Sequence, residues 1–179
     1  MPLESRRVYT GHVVSLDVDT VRYPDGTRGE LEMIRHPGAA AVVPVASDPR
    51  GPNPTLLLIR QYRYATGGTL WEIPAGRLGP DEEPAACARR ELLEEVGVTA
   101  GRLEPLTTIW TSPGFTDERI HLFWAWDLKA GAHAREHDEF IEVVPRSLSD
   151  VLSAIRSGEI CDAKSVVALL YMAGFVLGL

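Results

Sequence analysis

The stretch from Gly76 to Val98 constrains this chain more than any other. It reads Gly76-Arg77-Leu78-Gly79-Pro80-Asp81-Glu82, then seven residues, then Arg90-Glu91-Leu92-Leu93-Glu94-Glu95-Val96-Gly97-Val98. Pro84 fits the first turn of a helix, where its missing N–H is no loss. Asp81, Glu82 and Glu83 suit the positive N-terminal end. Gly97 is the expected stop, because glycine accepts the left-handed conformation just past a helix. Between these signals Glu91, Glu94 and Glu95 stand at i, i+3 and i+4, so their carboxylates share one face. Ala85, Ala88, Leu92 and Val96 form a neighbouring stripe suited to packing on a core.

Three carboxylates so placed repel one another, by a few tenths of a kcal/mol per pair. Hard divalent cations would relieve the repulsion, since Mg2+ and Mn2+ take oxygen ligands. A solvated acidic face is the other reading. The helix alone leaves both open.

The complete spacing, G-x5-E-x7-R-E-U-x-E-E-x-G-U with U apolar, resembles the signature of the Nudix hydrolases at every specified position. The resemblance implies an α/β fold, a Nudix-type α/β/α sandwich with a mixed β-sheet. It also implies cleavage of a nucleoside diphosphate linked to another group. Glu91 and Glu95 would be the principal metal ligands, with Glu94 assisting catalysis. Arg90 and Glu82 would tie the loop to the helix, and Gly76 and Gly97 would shape its ends. Two to three Mg2+ or Mn2+ ions per site are expected on the same ground.

Residues outside the box resemble the ADP-ribose pyrophosphatase branch. They are Glu72-Ile73-Pro74-Ala75-Gly76, Ser112-Pro113-Gly114-Phe115-Thr116-Asp117-Glu118 and Glu139-Phe140-Ile141-Glu142-Val143. The implied reaction is ADP-ribose plus water giving AMP plus ribose 5-phosphate. Hydrolysis of another nucleoside diphosphate sugar, such as GDP-mannose, is the runner-up. A non-catalytic ligand sensor is a third reading, opposed by the intact Glu91, Glu94 and Glu95. Carried over by position, Ala75 would offer its carbonyl to a metal and Glu139 would be the general base. Glu136 and Glu142 are rival bases. Arg63 would contact the phosphates or adenosine side, and Glu72 the ribose hydroxyls. Gly114 and Glu118 would shape the pocket. Arg35 and His36 stand where relatives place substrate-stacking groups.

The remaining chain is read in order. Val8–Thr10, His12–Tyr23 and Arg28–His36 read as strands, the last two joined by the turn Pro24-Asp25-Gly26. Residues 1–37 therefore form an N-terminal antiparallel β hairpin module. It has too few apolar residues to stand alone, and a dimer partner is one surface it could pack on. Residues 38–179 form the hydrolase domain. Gly38–Ala46 and Thr55–Ile59 read as buried strands, and Arg60 to Tyr64 as either a phosphate clamp or a charged edge. Thr69–Pro74, Leu103–Trp110, Ile120–Leu128 and Phe140–Val144 read as further strands. A helix with Ser149-Asp150 as cap and first turn ends near Gly158. A last helix runs from Asp162 to Phe175 with apolar residues almost all round, which predicts burial in the core or in a subunit contact.

The 179 residues suffice for a substantial core, and a formal charge of -7 argues against general nucleic-acid binding. Two cysteines, Cys87 and Cys161, indicate no disulfide scaffold and point to the cytoplasm. The tract Val166–Leu179 is too short to span a bilayer easily, so no membrane partner is expected.

Overall fold

The computed structural model describes residues 2–131 and 140–179. Its first unit is an antiparallel sheet of β1 (Glu4–Thr10), β2 (Ser15–Arg22) and β3 (Arg28–Arg35), in that order. The predicted turn holds: Gly26 takes φ 88°, and Asp25 Oδ1 accepts from the Thr27 N–H at 2.9 Å. The sheet is a three-stranded meander, because residues 11–14 make a turn of their own, closed by Gly11 N–H to Val14 O at 2.9 Å.

Two further sheets follow. One holds β4 (Ala39–Pro44), β7 (Ala75–Arg77), β8 (Val98–Trp110) and β9 (Arg119–Ala130), in the order β7-β4-β9-β8. It is mixed, since β4 runs parallel to β9 and antiparallel to β7. The other holds β5 (Thr55–Arg63), β6 (Gly68–Glu72) and β10 (Ile141–Ser147), in the order β10-β5-β6. Arg60 to Arg63 therefore lie on a central strand, not on an edge.

β4 shows why the fold is a sandwich. Every one of its residues is buried, as its unbroken apolar run predicts. Ala39, Ala41 and Val43 pack with Leu56, Leu58, and residues of α2 (Leu148–Ser157) and α3 (Ala163–Tyr171). Ala40 and Val42 pack with Cys87, Ala88 and Leu92 around α1 (Pro84–Glu91). Successive side chains on a strand point oppositely, so helices cover both sides.

The box helix begins with Pro84 at its first turn and stops at Gly97, φ 74°. Its last turn, Leu92–Val96, is π-helical. Ala88, Leu92 and Val96 are buried as expected, but Ala85 is exposed and Cys87 takes its place. The buried stripe follows the Glu91 and Glu95 side of the helix, one position round from Ala85.

α2 is capped by Ser147 rather than by Ser149, with Asp150 in the first turn as expected: Ser147 Oγ accepts from the Asp150 N–H at 3.2 Å. Asp162 caps α3 as predicted, accepting from the Ser165 N–H at 3.0 Å. The last helix is only half buried. Ala168, Leu169 and Met172 are in the core, whereas Leu170 and Phe175 face outward.

Candidate active site

The box loop enters from β7, whose pairing with β4 sets Ala41 opposite Ala75 and Ala40 opposite Gly76. Opposite this segment lies the helix. Glu95 Oε2 accepts from the Ala75 N–H at 2.9 Å. The Glu91 carboxylate lies so close to Gly76 that a β-carbon there would stand 1.7 Å from Glu91 Oε1. Both carboxylates are buried, Glu95 almost completely. Helix spacing thus delivers two acidic side chains onto one short piece of backbone.

Arg90 gathers the remaining charge. Its Nε and Nη2 donate to the two oxygens of Glu82 at 2.9 and 3.0 Å. Its Nη1 donates to Glu91 at 2.5 Å and to Glu94 at 2.8 Å, and its Nη2 also to the Arg77 carbonyl at 3.1 Å. The loop is therefore tied to the helix as the resemblance implied. Arg90 and the Gly79 N–H together hold the Glu82 carboxyl down at about 2, against its ordinary 4.5. The ionised form is the one the fold favours. Its stabilisation is complete above about pH 4.5 and is lost as pH falls from there toward about 2. Thermal unfolding should therefore drop through that window. Glu82→Gln should unfold at lower temperature at pH 7 and vary less with pH between 4.5 and 2. A slope equal to the parent's would contradict this. Beneath Arg90, the Cys87 thiol sits 3.4 Å from the Arg77 carbonyl, and burial pushes it up to about 12.

A second charged group stands on the same cavity. Arg63 grips Glu72 with two hydrogen bonds, at 2.7 and 2.9 Å. Lys164 donates to Glu72 as well, and to Asp162 at 3.0 Å. Burial works to raise the Glu72 carboxyl, but Arg63 and Lys164 outweigh it and hold it below the usual range. Glu72 itself also raises the Arg63 guanidinium, with Glu95 contributing charge from the box helix.

The cavity has a volume of about 1380 Å³. It brings together Ala75, Gly76, Glu91, Glu94 and Glu95 with Arg63, Glu72 and Glu118. Glu118 accepts from Thr111 Oγ1 at 2.9 Å and stands 3.4 Å from His36 Nδ1. His36 lines the cavity, but Arg35 does not. The Arg35 guanidinium is taken up by Asp17, Asp19 and Asp117, which join the N-terminal sheet to the 112–118 loop. Gly114 is exposed and outside the lining. Glu139 and Glu136 lie outside the described residues. Glu142 is on β10, largely exposed, with its carboxylate 3.4 Å from Arg60. Sequence reasoning missed Lys164. Its signal was faint: a cation two residues past the Asp162 cap, brought to Glu72 only by tertiary folding.

The donor set suits a hard cation. Glu91, Glu94, Glu95 and the Ala75 backbone offer only oxygen, the choice of Mg2+ and Mn2+. The glycine at 76 is what lets Glu91 approach that backbone. Among the described residues no three acidic or histidine side chains form a ready-made cage. Instead Arg90 supplies the positive charge that Glu91 and Glu94 share.

The chain is similar to several known proteins. A model described as the NUDIX domain matches residues 35–164. An ADP-ribose pyrophosphatase of Bacillus subtilis is 38% identical over 172 residues, covering 95% of this chain and 90% of the relative. A methanol dehydrogenase activator of Bacillus methanolicus is 37% identical over the same shares. A GDP-mannose pyrophosphatase of Escherichia coli is 36% identical over 163 residues, 83% of each chain. A crystal structure of an ADP compounds hydrolase superposes with TM-score 0.83 at 23% identity, covering 99% of this chain and 94% of that one. That likeness bears on the fold.

Proposed function

The chain belongs to the NUDIX family, and from that premise we propose that it hydrolyses the diphosphate bond of ADP-ribose, releasing AMP and ribose 5-phosphate. It is a Nudix pyrophosphatase; ADP-ribose is the finer assignment. The observation that carries it is the meeting of Glu91 and Glu95 with the Ala75–Gly76 backbone, in a cavity that also holds Arg63.

The Ala75 carbonyl, Glu91 and Glu95 would hold Mg2+ or Mn2+, two to three ions in all, with Glu94 assisting. Such ions, when bound, neutralise the diphosphate and lower the pKa of a bound water. The protein's own groups do the rest. Arg63 presents a cation to the phosphates, while Glu72 accepts from sugar hydroxyls once Arg63 shifts toward the ligand. Glu118 and Gly114 sit on the loop that bounds the pocket. Glu139 takes the proton of the attacking water. Glu139→Gln should lower kcat by about 10²-fold or more with little change in KM. An unchanged kcat would move the base to Glu136 or Glu142.

Residues 1–37 pair two copies of the chain in this reading. Every residue of β1 is exposed, and Val8, Tyr9 and Val13 are each at least half exposed. Val13 also lines the cavity, so the module reaches the site. Sedimentation should give twice 19.6 kDa; a monomer at assay concentration would remove this part. Among the described residues no helix is long and apolar enough to cross a membrane, and Cys87 and Cys161 are free thiols. Free thiols fit a reducing compartment such as the cytoplasm.

The functional test is a panel of ADP-ribose, GDP-mannose and other nucleoside diphosphate sugars at fixed Mg2+. The highest kcat/KM is expected on ADP-ribose. A preference for GDP-mannose would replace the substrate. Tight binding without turnover on any would replace catalysis with ligand sensing.

A further inference from the structure

Among the described residues, two buried side-chain oxygens have no hydrogen-bond partner: Asp19 Oδ1 and Gln61 Oε1. Asp19 is a charged group whose other oxygen is held by Arg35. Gln61 is different. It is neutral, 7% exposed, and lines the cavity of the candidate site.

Its place on β5 explains the isolation. Leu57, Ile59, Gln61 and Arg63 alternate onto one face of the strand. Leu57 and Ile59 pack in the core beside α1, and Arg63 reaches Glu72. Gln61 stands where the apolar core gives way to the charged site. Its cross-strand neighbours are Ile141 on β10 and Leu70 on β6. Neither side chain can donate a hydrogen bond. A buried acceptor left unmatched destabilises a fold, and an apolar residue of similar shape would avoid that cost. A carboxamide at this position therefore points to a donor that arrives with the ligand.

A carboxamide oxygen only accepts. The phosphates of a nucleoside diphosphate sugar at neutral pH are acceptors too, so they cannot satisfy it. The hydroxyls of its sugars can donate. We propose that Gln61 Oε1 accepts a hydrogen bond from a sugar hydroxyl of the substrate, which makes Gln61 a specificity-determining residue of the site. This rests on the reading of the chain as a nucleoside diphosphate sugar hydrolase. A site built around such a hydrogen bond rejects the analogue that lacks the hydroxyl, because the buried acceptor is again unmatched.

The test pairs Gln61→Met with ADP-ribose analogues lacking single 2′ or 3′ hydroxyls on either ribose. The variant should lose at least about 10-fold in kcat/KM on ADP-ribose, while its unfolding temperature stays level or rises. A purely structural glutamine would lower both. On the wild type, one deoxy analogue should lose a similar factor; on Gln61→Met the same analogue should lose nothing more. That overlap reads the contact even if the variant proves less stable. Wild-type kcat/KM in Gln61→Met, or deoxy losses that simply multiply with it, would overturn the proposal and leave the hydrolase reading standing. Absence of wild-type turnover on every nucleoside diphosphate sugar would instead overturn the reading beneath it, and the proposal with it.

Discussion

Glu95→Gln is expected to lower kcat on ADP-ribose by about 10²- to 10³-fold, equivalent to about 3–4 kcal/mol of transition-state stabilisation. The fold should survive. Glu95 accepts from the Ala75 N–H through one oxygen, and a glutamine carbonyl can accept the same bond. What glutamine lacks is the charge that would hold a divalent cation next to the Ala75 backbone. The loss should therefore fall on kcat, with a rise in the Mg2+ or Mn2+ concentration for half-maximal rate. Steady-state rates across a metal titration, beside a thermal melt, check both halves. Full activity in this variant would remove Glu95 from the ligand set.

Gly76→Ala should cost about 10²-fold in kcat through a different route. The new β-carbon would lie 1.7 Å from Glu91 Oε1 and 2.1 Å from its Cδ. Neither separation is possible, so the carboxylate has to withdraw. Gly76 does not use a left-handed φ, so its backbone accepts alanine. The clash is with the far end of a flexible side chain, which can swing aside. Stability should consequently change by only about 1 kcal/mol, while the placement of Glu91 is lost. Combining Gly76→Ala with Glu91→Gln should add little to either loss, because both act through one carboxylate. Multiplied losses would show that Gly76 matters for another reason, and an unchanged kcat that Glu91 need not touch this backbone.

Much of this site was legible in the sequence, for a physical reason. Helix periodicity is local, so Glu91, Glu94 and Glu95 could be placed on one face, and Pro84 and Gly97 at the ends, without tertiary knowledge. The Arg90–Glu82 tie was implied by the resemblance of the same short span to the Nudix signature. The apolar stripe was off by its first member, Ala85, because the helix turns its Cys87 edge inward. What spans many residues stayed hidden. Lys164 meets Glu72 across 92 positions, and only tertiary folding brings them together. Arg35 was expected near the substrate, yet Asp17 and Asp19, two apart on β2, take its guanidinium. That pairing depends on strand register, which a lone sequence leaves open. Gln61 gave no signal in the sequence. A glutamine between arginine and tyrosine reads as surface, and only its burial and its unmatched oxygen mark it out.

In the proposed function the oxygens of Glu91, Glu95 and Ala75 would hold divalent cations, and hydrolysis of the diphosphate would depend on them. The direct measurement is AMP release from ADP-ribose by metal-stripped enzyme as Mg2+ or Mn2+ is added back. The prediction is no turnover without metal, saturable recovery in the wild type, and failure of Glu95→Gln to recover at concentrations that saturate the wild type. Undiminished hydrolysis by the stripped wild-type enzyme in excess EDTA would contradict it.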